Sequence, residues 1–507
     1  MPVPQAAQHA ASQQLPRMLH NLELAPFVDP MPLPMVAHAD AHGHIHIAMR
    51  EVHTKLHRDV PPTRLWTYET IGLTDQSGLA PLIEARSGHA LKVEWSNHLP
   101  PHHFLPVDFS LHGCGRDVPE VRGCVHLHGG RTPCESDGYP EDWYAPGKSR
   151  VCTYPLQQEA ATLWYHDHAM GLNRLNMYAG LFGMAIVRDE TEAALDLPSG
   201  KYEVPLILFD RNFTADGQLF YPTSGDPDHP WVSEFEGDAI LINNKIRPHF
   251  EVEPRLYRFR LLNTANSRFF QLSLSGGHKF HQVGSDQGLL SAPLPITNLL
   301  LAPAERADVL IDFSSLAGQK LHLVNAALQV LEFRVAAGNS SAPAHNIPST
   351  LRPVARTPVS SATLTRTITL DEAVDRVGNS MQMYLGKKRW HEPATEFPKL
   401  GTTEIWEFIN LTEDVHPLHL HMVRFQVLDR RLFDVFAYRN NNGLHYLGDA
   451  LPLEPNETGW KDVVQCPPEL VTRIIVTFDG YPGKYLYHCH VLEHEANDMM
   501  RPFEVIA

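Results

Sequence analysis

The sequence predicts an all-β protein, and three observations carry that prediction. Apolar and polar residues alternate over short stretches, β-branched and aromatic residues crowd those stretches, and 41 prolines with 32 glycines punctuate them as turns. A length of 507 residues corresponds to about three domains. The first is expected over 1–189, closing on GMAIVRD, after which the charged stretch ETEAALD has the composition of a short helical connector. The second, 190–337, carries the strand signals KYEVPLILFD, RLYRFRLLN and ADVLIDF. Residues 338–362, rich in Ser, Pro and Ala, read as a linker crossing the surface, and the third domain is expected over 363–507. Residues 163–187, LWYHDHAMGLNRLNMYAGLFGMAIV, echo 485–507, YLYHCHVLEHEANDMMRPFEVIA, as HLH at 126 echoes HLH at 419. The first and third domains therefore read as copies of one module.

The chemistry sits in those copies. Residues 488–500 read HCHVLEHEANDMM. On an extended strand Cys489 faces one way while His488 and His490 face the other. A thiolate from Cys489, an imidazole from His494, a distant thioether from Met499 and one more imidazole form the donor set of an electron-transfer copper site. The missing imidazole is expected from HPLHLH (416–421). Pro417 disfavours helix at His416 and donates nothing to a ladder, so a bend is expected there, turning His416 toward Cys489 and His419 and His421 away.

Two further pairs, His126 with His128 and His166 with His168, lie on strand-like stretches in the first third. With 31 histidines in the chain, about two His-x-His pairs are expected by chance, and six occur. Two of them overlap at His42, His44 and His46, in a polar run read as the chance background. The other four lie in apolar contexts. Asp167 stands in the first copy where Cys489 stands in the second, so the first copy offers imidazoles but no thiolate. No such pair occurs between 169 and 418. The expectation is a cluster between the first and last domains, four histidines from each, with the middle domain as spacer and substrate wall.

These four segments, in this order, resemble the copper-binding signatures of the multicopper oxidases. HLHGGRTPCESDGYPEDWY (126–144), LAPAERADVLIDF (301–313), GTTEIWEFIN (401–410) and YHCHVLEHEANDMMRP (487–502) extend the resemblance to bacterial spore-coat-type laccases and bilirubin oxidases. The resemblance implies three cupredoxin-like Greek-key β-barrel or sandwich domains and four copper ions. A type 1 ion would be held by His416, Cys489 and His494 with Met499 axial, and a type 2 ion by His126 and His419. A type 3 pair would take His128, His166, His168, His421, His488 and His490. One-electron oxidation of phenolic or aromatic reductants would be coupled to four-electron reduction of O2 to water. Asp137 and Glu495 match positions associated with proton supply. Within the same resemblance, bilirubin oxidation and cuprous-ion oxidation for copper tolerance are alternatives. The second would call for methionine-rich insertions, whereas only Met381 and Met383 come close, a pair read as core. A structural spore-coat or copper-storage protein is the non-enzymatic alternative.

The net charge of -16 argues against nucleic acid and anionic membrane as partners and favours neutral or cationic reductants over anionic ones. Besides Cys489 there are five cysteines, at 114, 124, 134, 152 and 466. Cys114 with Cys124, or Cys134 with Cys152, could close local loops, but free thiols are the expectation. MPVPQAAQHAASQQLPRMLH has no apolar run of signal-peptide length, and no segment has 18 uninterrupted apolar residues. A soluble monomer in the cytoplasm or spore coat is expected.

Overall fold

The computed structural model describes residues 16–73, 75–338, 345–376 and 378–507. The leading residues 1–15, read for a signal peptide, and 339–344 of the expected linker lie outside the described residues. Strands dominate and form six sheets among the described residues. Alternation builds them: along Lys320–Asn325, Leu321 and Leu323 are buried while Lys320 is exposed.

In the first third a four-stranded sheet around His44–Thr54 and a five-stranded sheet ending in Ala161–Asp167 and Val125–His128 share one core, which includes Trp66, Trp95 and Tyr165. In the last third a five-stranded sheet around Thr403–Asn410 and a four-stranded sheet enclose Trp406, Tyr487 and Phe503. Nine- and five-stranded sheets surround a third core with Phe259, Phe313 and Phe333. Trp66, Trp95, Trp164 and Trp406 are fully buried, and each such ring withdraws roughly 150–250 Å² from water. A separate cluster joins Trp164 and Met177 to Phe209, Leu241, Val463 and Leu492, so side chains from all three thirds meet beside the histidine strands.

The connector ETEAALD contains the helix Glu190–Ala193, whose first turn is capped by the Asp189 carboxylate accepting from Glu192 N–H at 2.8 Å. The described part of the 338–362 segment crosses the surface without helix or strand as far as Pro358 and docks through Arg352, which donates to Asp189 at 2.5 Å. All six cysteines are free. Among the described residues no helix is long and apolar enough to cross a membrane.

Two expectations fail. The chain does not bend at Pro417: His416–Leu420 is one continuous strand, paired with Val463–Cys466 on one side and Gly483–Cys489 on the other. No bend is needed, because His416 and His419 are three residues apart and alternation alone sends them to opposite faces. The methionine pair is not wholly core, since Met383 is buried but Met381 is 57% exposed.

Candidate metal centre

Register brings the histidine strands together. In the first third His126 pairs with His166 across Val125–His128 and Ala161–Asp167. In the last, His419 pairs with His488 and Leu418 with Cys489. The two halves then meet face to face: the ring of His128 stacks on His419 at 3.6 Å between centroids, and that of His126 on His421 at 3.7 Å. His490 faces His128 and His166 at 5.2 and 5.3 Å. Nε2 of His168 and Nε2 of His421 lie 3.4 and 3.2 Å from Nε2 of His488. Each of the sets His126/His128/His166, His126/His419/His421 and His168/His421/His488 brings one ring nitrogen per residue within 4.8 Å of the others. All eight imidazoles predicted for the cluster converge.

On the opposite face of Gly483–Cys489, Cys489 Sγ lies 3.5 Å from His416 Nδ1 and 3.7 Å from His494 Nδ1, and those two nitrogens are 3.3 Å apart. His494 sits on the short helix Leu492–Ala496. Met499 is buried in the same core as Cys489, and its carbonyl accepts from Cys489 N–H at 3.0 Å. His416 Nε2–H donates to Thr412 Oγ1 at 2.6 Å, which fixes the ring and leaves Nδ1 toward the sulfur.

Do these residues fit copper? The unpartnered atoms say so. His126, His166 and His419 each spend Nδ1–H on a backbone carbonyl, of Asp137 (2.6 Å), Asp167 (3.0 Å) and Asp462 (2.8 Å), and leave a buried Nε2 without a hydrogen-bond partner. Both nitrogens of His490 are buried and unpartnered as well. Orphaned buried nitrogens are costly unless something binds them. Burial is the main force holding these imidazoles neutral: it lowers His168 to about 4 and His494 to about 3, and drives His126, His128, His166, His419, His421, His490 and His416 well below 6.5. Neutral imidazole is the form that binds metal. Burial equally raises the Cys489 thiol far above its ordinary value, and a coordinated cation removes that proton outright.

Asp137 and Glu495 both reach the cluster. Asp137 Oδ2 accepts from His421 Nδ1–H at 2.8 Å, and burial raises its carboxyl well above the usual range. Gly138, at φ 82, lets the chain press close here, since a Cβ there would lie 2.4 Å from the Val125 carbonyl oxygen. Glu495 is buried between the halves, 3.4 Å from His168 Nε2 and 3.3 Å from His488 Nδ1, and neither oxygen has a hydrogen-bond partner. Away from the cluster, His46 is engaged by Glu94 (3.0 Å) and Asp40 (3.2 Å) at the surface, in keeping with a polar background run.

Sequence reading missed Thr412 and Asp462. The second supports two cluster imidazoles at once, its Oδ1 lying 3.2 Å from His128 Nε2. A cleft of about 1840 Å³ is lined by Trp231, Glu234, Glu372, Met381, Thr412 and Asn497, on the side of His494 where sequence reading expects a pocket bounded by the middle and last domains. Asn497 N–H bonds the His494 carbonyl at 3.1 Å, and Trp231 Nε1–H bonds the carbonyl of Glu493 at 3.1 Å, so the cleft wall is tied to the backbone on both sides of His494.

Sequence profiles described as multicopper oxidase match residues 120–192, 213–341 and 361–507. The chain belongs to the multicopper oxidase family. The laccase of Bacillus subtilis (strain 168) is 43% identical over 515 residues, covering 96% of this chain and 99% of that protein. A laccase of Haloferax volcanii is 38% identical, covering 95% of this chain and 85% of that one. Among solved structures, the McoA multicopper oxidase of the hyperthermophile Aquifex aeolicus aligns with a TM-score of 0.78 at 27% identity, covering 96% of this chain and all of that one. The fold is thus cupredoxin-like and all-β, and the chain is a laccase-like, copper-dependent oxidoreductase with oxygen as acceptor.

Proposed function

We propose that this oxidase oxidises small phenolic or aromatic reductants, and that His416, Cys489, His494 and Met499 would hold a type 1 copper supplying one-electron acceptance. We assign a type 2 copper to His126 and His419, and a type 3 pair to the remaining six cluster histidines. One observation carries the reading: Cys489 faces His416 and His494 while its two chain neighbours face the histidine cluster. Copper bound there supplies one-electron acceptance at the first site and four-electron reduction of O2 to water at the second. The chain's contribution is position and protons. His488 and His490 are peptide neighbours of Cys489, so the covalent route between the sites is a few bonds long. The unpartnered Glu495 carboxylate, in reach of both halves, and the Asp137 carboxyl are the proton-holding groups.

The cleft beside His494 is the proposed reductant site. Glu234, open to the cleft, is raised to about 7 by desolvation and then by Asp414, Glu236 and Glu372. As pH rises through 7 the wall gains negative charge, which favours neutral or cationic donors over anionic ones. Domains over 1–189, 190–337 and 363–507, a monomer, and residence in the cytoplasm or spore coat complete the proposal. The test is oxygen uptake by the copper-loaded chain with a phenol, bilirubin and cuprous ion in parallel, beside metal analysis. Four coppers per chain and four phenol electrons per O2 are expected. One copper or none, or no uptake with any donor, would overturn the reading.

A further inference from the structure

The middle third offers no histidine to the cluster, yet its Arg306 reaches a residue that faces one of the cluster imidazoles. Asp462, fully buried, accepts from Arg306 through both oxygens, at 2.6 Å from Nη1 and 2.5 Å from Nη2, and from Gln287 Nε2–H at 2.5 Å. The remaining capacity of its Oδ1 points at His128 Nε2, 3.2 Å away. Arg306 is itself fully committed: Nε–H donates to the Thr162 carbonyl (2.9 Å), Nη2–H to the Asp286 carbonyl (3.0 Å) and Nη1–H to the Ala304 carbonyl (3.1 Å). Lys461 Nζ, 2.9 Å from both Asp286 Oδ2 and Glu305 Oε1, closes a buried network of five charges.

An ionised carboxylate only accepts hydrogen bonds. Beside Asp462, His128 must therefore carry its proton on Nε2, and Nδ1, buried and unpartnered, is the nitrogen left free. This is the reverse of its neighbours. His126, His166, His419, His421 and His488 all spend Nδ1–H on an oxygen and turn Nε2 inward. The next residue reports the tightness of the fit: Gly129 has φ 83, and a Cβ there would lie 2.7 Å from Asp462 Oδ2 and 2.8 Å from Arg306 Nη2.

We propose that the Arg306–Asp462 pair is a positioning device for the oxygen-reducing cluster, setting His128 in its reversed orientation and holding His419 through the Asp462 carbonyl. Resting on the assignment of His128 and His419 as copper ligands, it makes the middle third a working part of the site. Asp462 lies within metal-binding distance of His128 and His419, but its oxygens are already taken by Arg306, Gln287 and His128, which makes it a support rather than a ligand. An amide at 462 would put a donor among N–H groups that all seek an acceptor, and His128 would lose its reason to be reversed.

The test loads Asp462→Asn and Arg306→Lys with copper beside the unaltered chain and measures chelator competition, the paramagnetic copper count and the blue absorbance. For D462N, cluster copper is expected to bind about 10–100-fold more weakly, the range for outer partners of metal ligands, with the coupled pair partly converted to paramagnetic copper and the blue band unchanged. R306K, keeping the charge but losing the fork, is expected to fall between, and it reads the same shift if D462N does not fold. Cluster affinity within twofold of the unaltered chain in both variants, or blue and cluster copper lost in equal proportion, would overturn the proposal. Fewer than four coppers in the unaltered chain would instead overturn the ligand assignment beneath it.

Discussion

In the strand Ala161–Asp167 the residue between the two histidines ends in a carboxylate; in Gly483–Cys489 it ends in a thiol. The surroundings have diverged to match. Asp167 accepts from Cys124 N–H (3.0 Å), Ala169 N–H (3.0 Å) and Asn176 Nδ2–H (2.7 Å), so it serves as a staple for the loop and helix that follow. Cys489 instead faces two imidazoles. Counting back from each HLH, the position of His416 is occupied in the first copy by Gly123. A Cβ at Gly123 would lie 2.6 Å from the Met49 sulfur and 3.2 Å from Asp167 Oδ2, which leaves no room for a ring. The other faces of the two strands stay alike. His166 and His488 even make the same bond, Nδ1–H to the carbonyl of the residue that follows, at 3.0 Å in both. The two strands match in the half of their chemistry that both sites need and differ in the half that only one of them needs.

Exchanging the middle residue is the strongest way to break this comparison. Cys489→Ser is expected to abolish the blue absorbance and reductant oxidation while circular dichroism stays that of the folded chain; a variant that remained blue would end the assignment. Glu495→Gln attacks what both copies share. Oxygen reduction is expected to slow by about 10²-fold or more, within the range of positioned proton transfer, with the blue band retained, whereas unchanged turnover across pH would remove Glu495 from the proton route.

The buried imidazoles of both copies give a pH signature. Unfolded histidine titrates near 6.5, whereas burial holds His168 near 4 and His494 near 3 in the folded chain. Above 6.5 neither state takes these protons. As pH falls below it the unfolded state binds protons that the folded state refuses, so stability of the copper-free protein drops progressively toward pH 4. Denaturant melts across that window should show the slope, and bound copper should move it to lower pH; a flat copper-free profile would contradict the burial argument. The smallest effect is reserved for the staple. Asp167→Asn is expected to cost about 1–3 kcal/mol of stability and leave the copper spectra untouched, so a changed blue band would mean that the first copy participates in electron uptake after all.

The convergence of these side chains was legible in the sequence because strand periodicity translates spacing directly into direction: residues two apart share a face, and Cys489 between two histidines belongs to the other. The same arithmetic, applied to the three-residue step from His416 to His419, would have removed the bend expected at Pro417. Other parts carried no local signal. Asp462 meets Arg306 and His128 across 156 and 334 positions of chain, and a charged residue in a strand-like run looks the same in sequence whether it faces water or a guanidinium. Thr412 was hidden by ordinary composition. Met381 and Met383 share one strand face, but that face is covered only at 383; at 381 it opens onto the cleft, so the burial usual for such a pair holds for one of the two.

The stacked rings of His128 on His419 and His126 on His421 have a consequence for biosynthesis. Each half of the oxygen site is an open set of imidazoles until its counterpart arrives from nearly 300 residues downstream, so a ribosome must release almost the whole chain before the pocket exists. Completion of the histidine cluster is therefore a late event in maturation, and a chain that ends before His419 presents only one of its two halves.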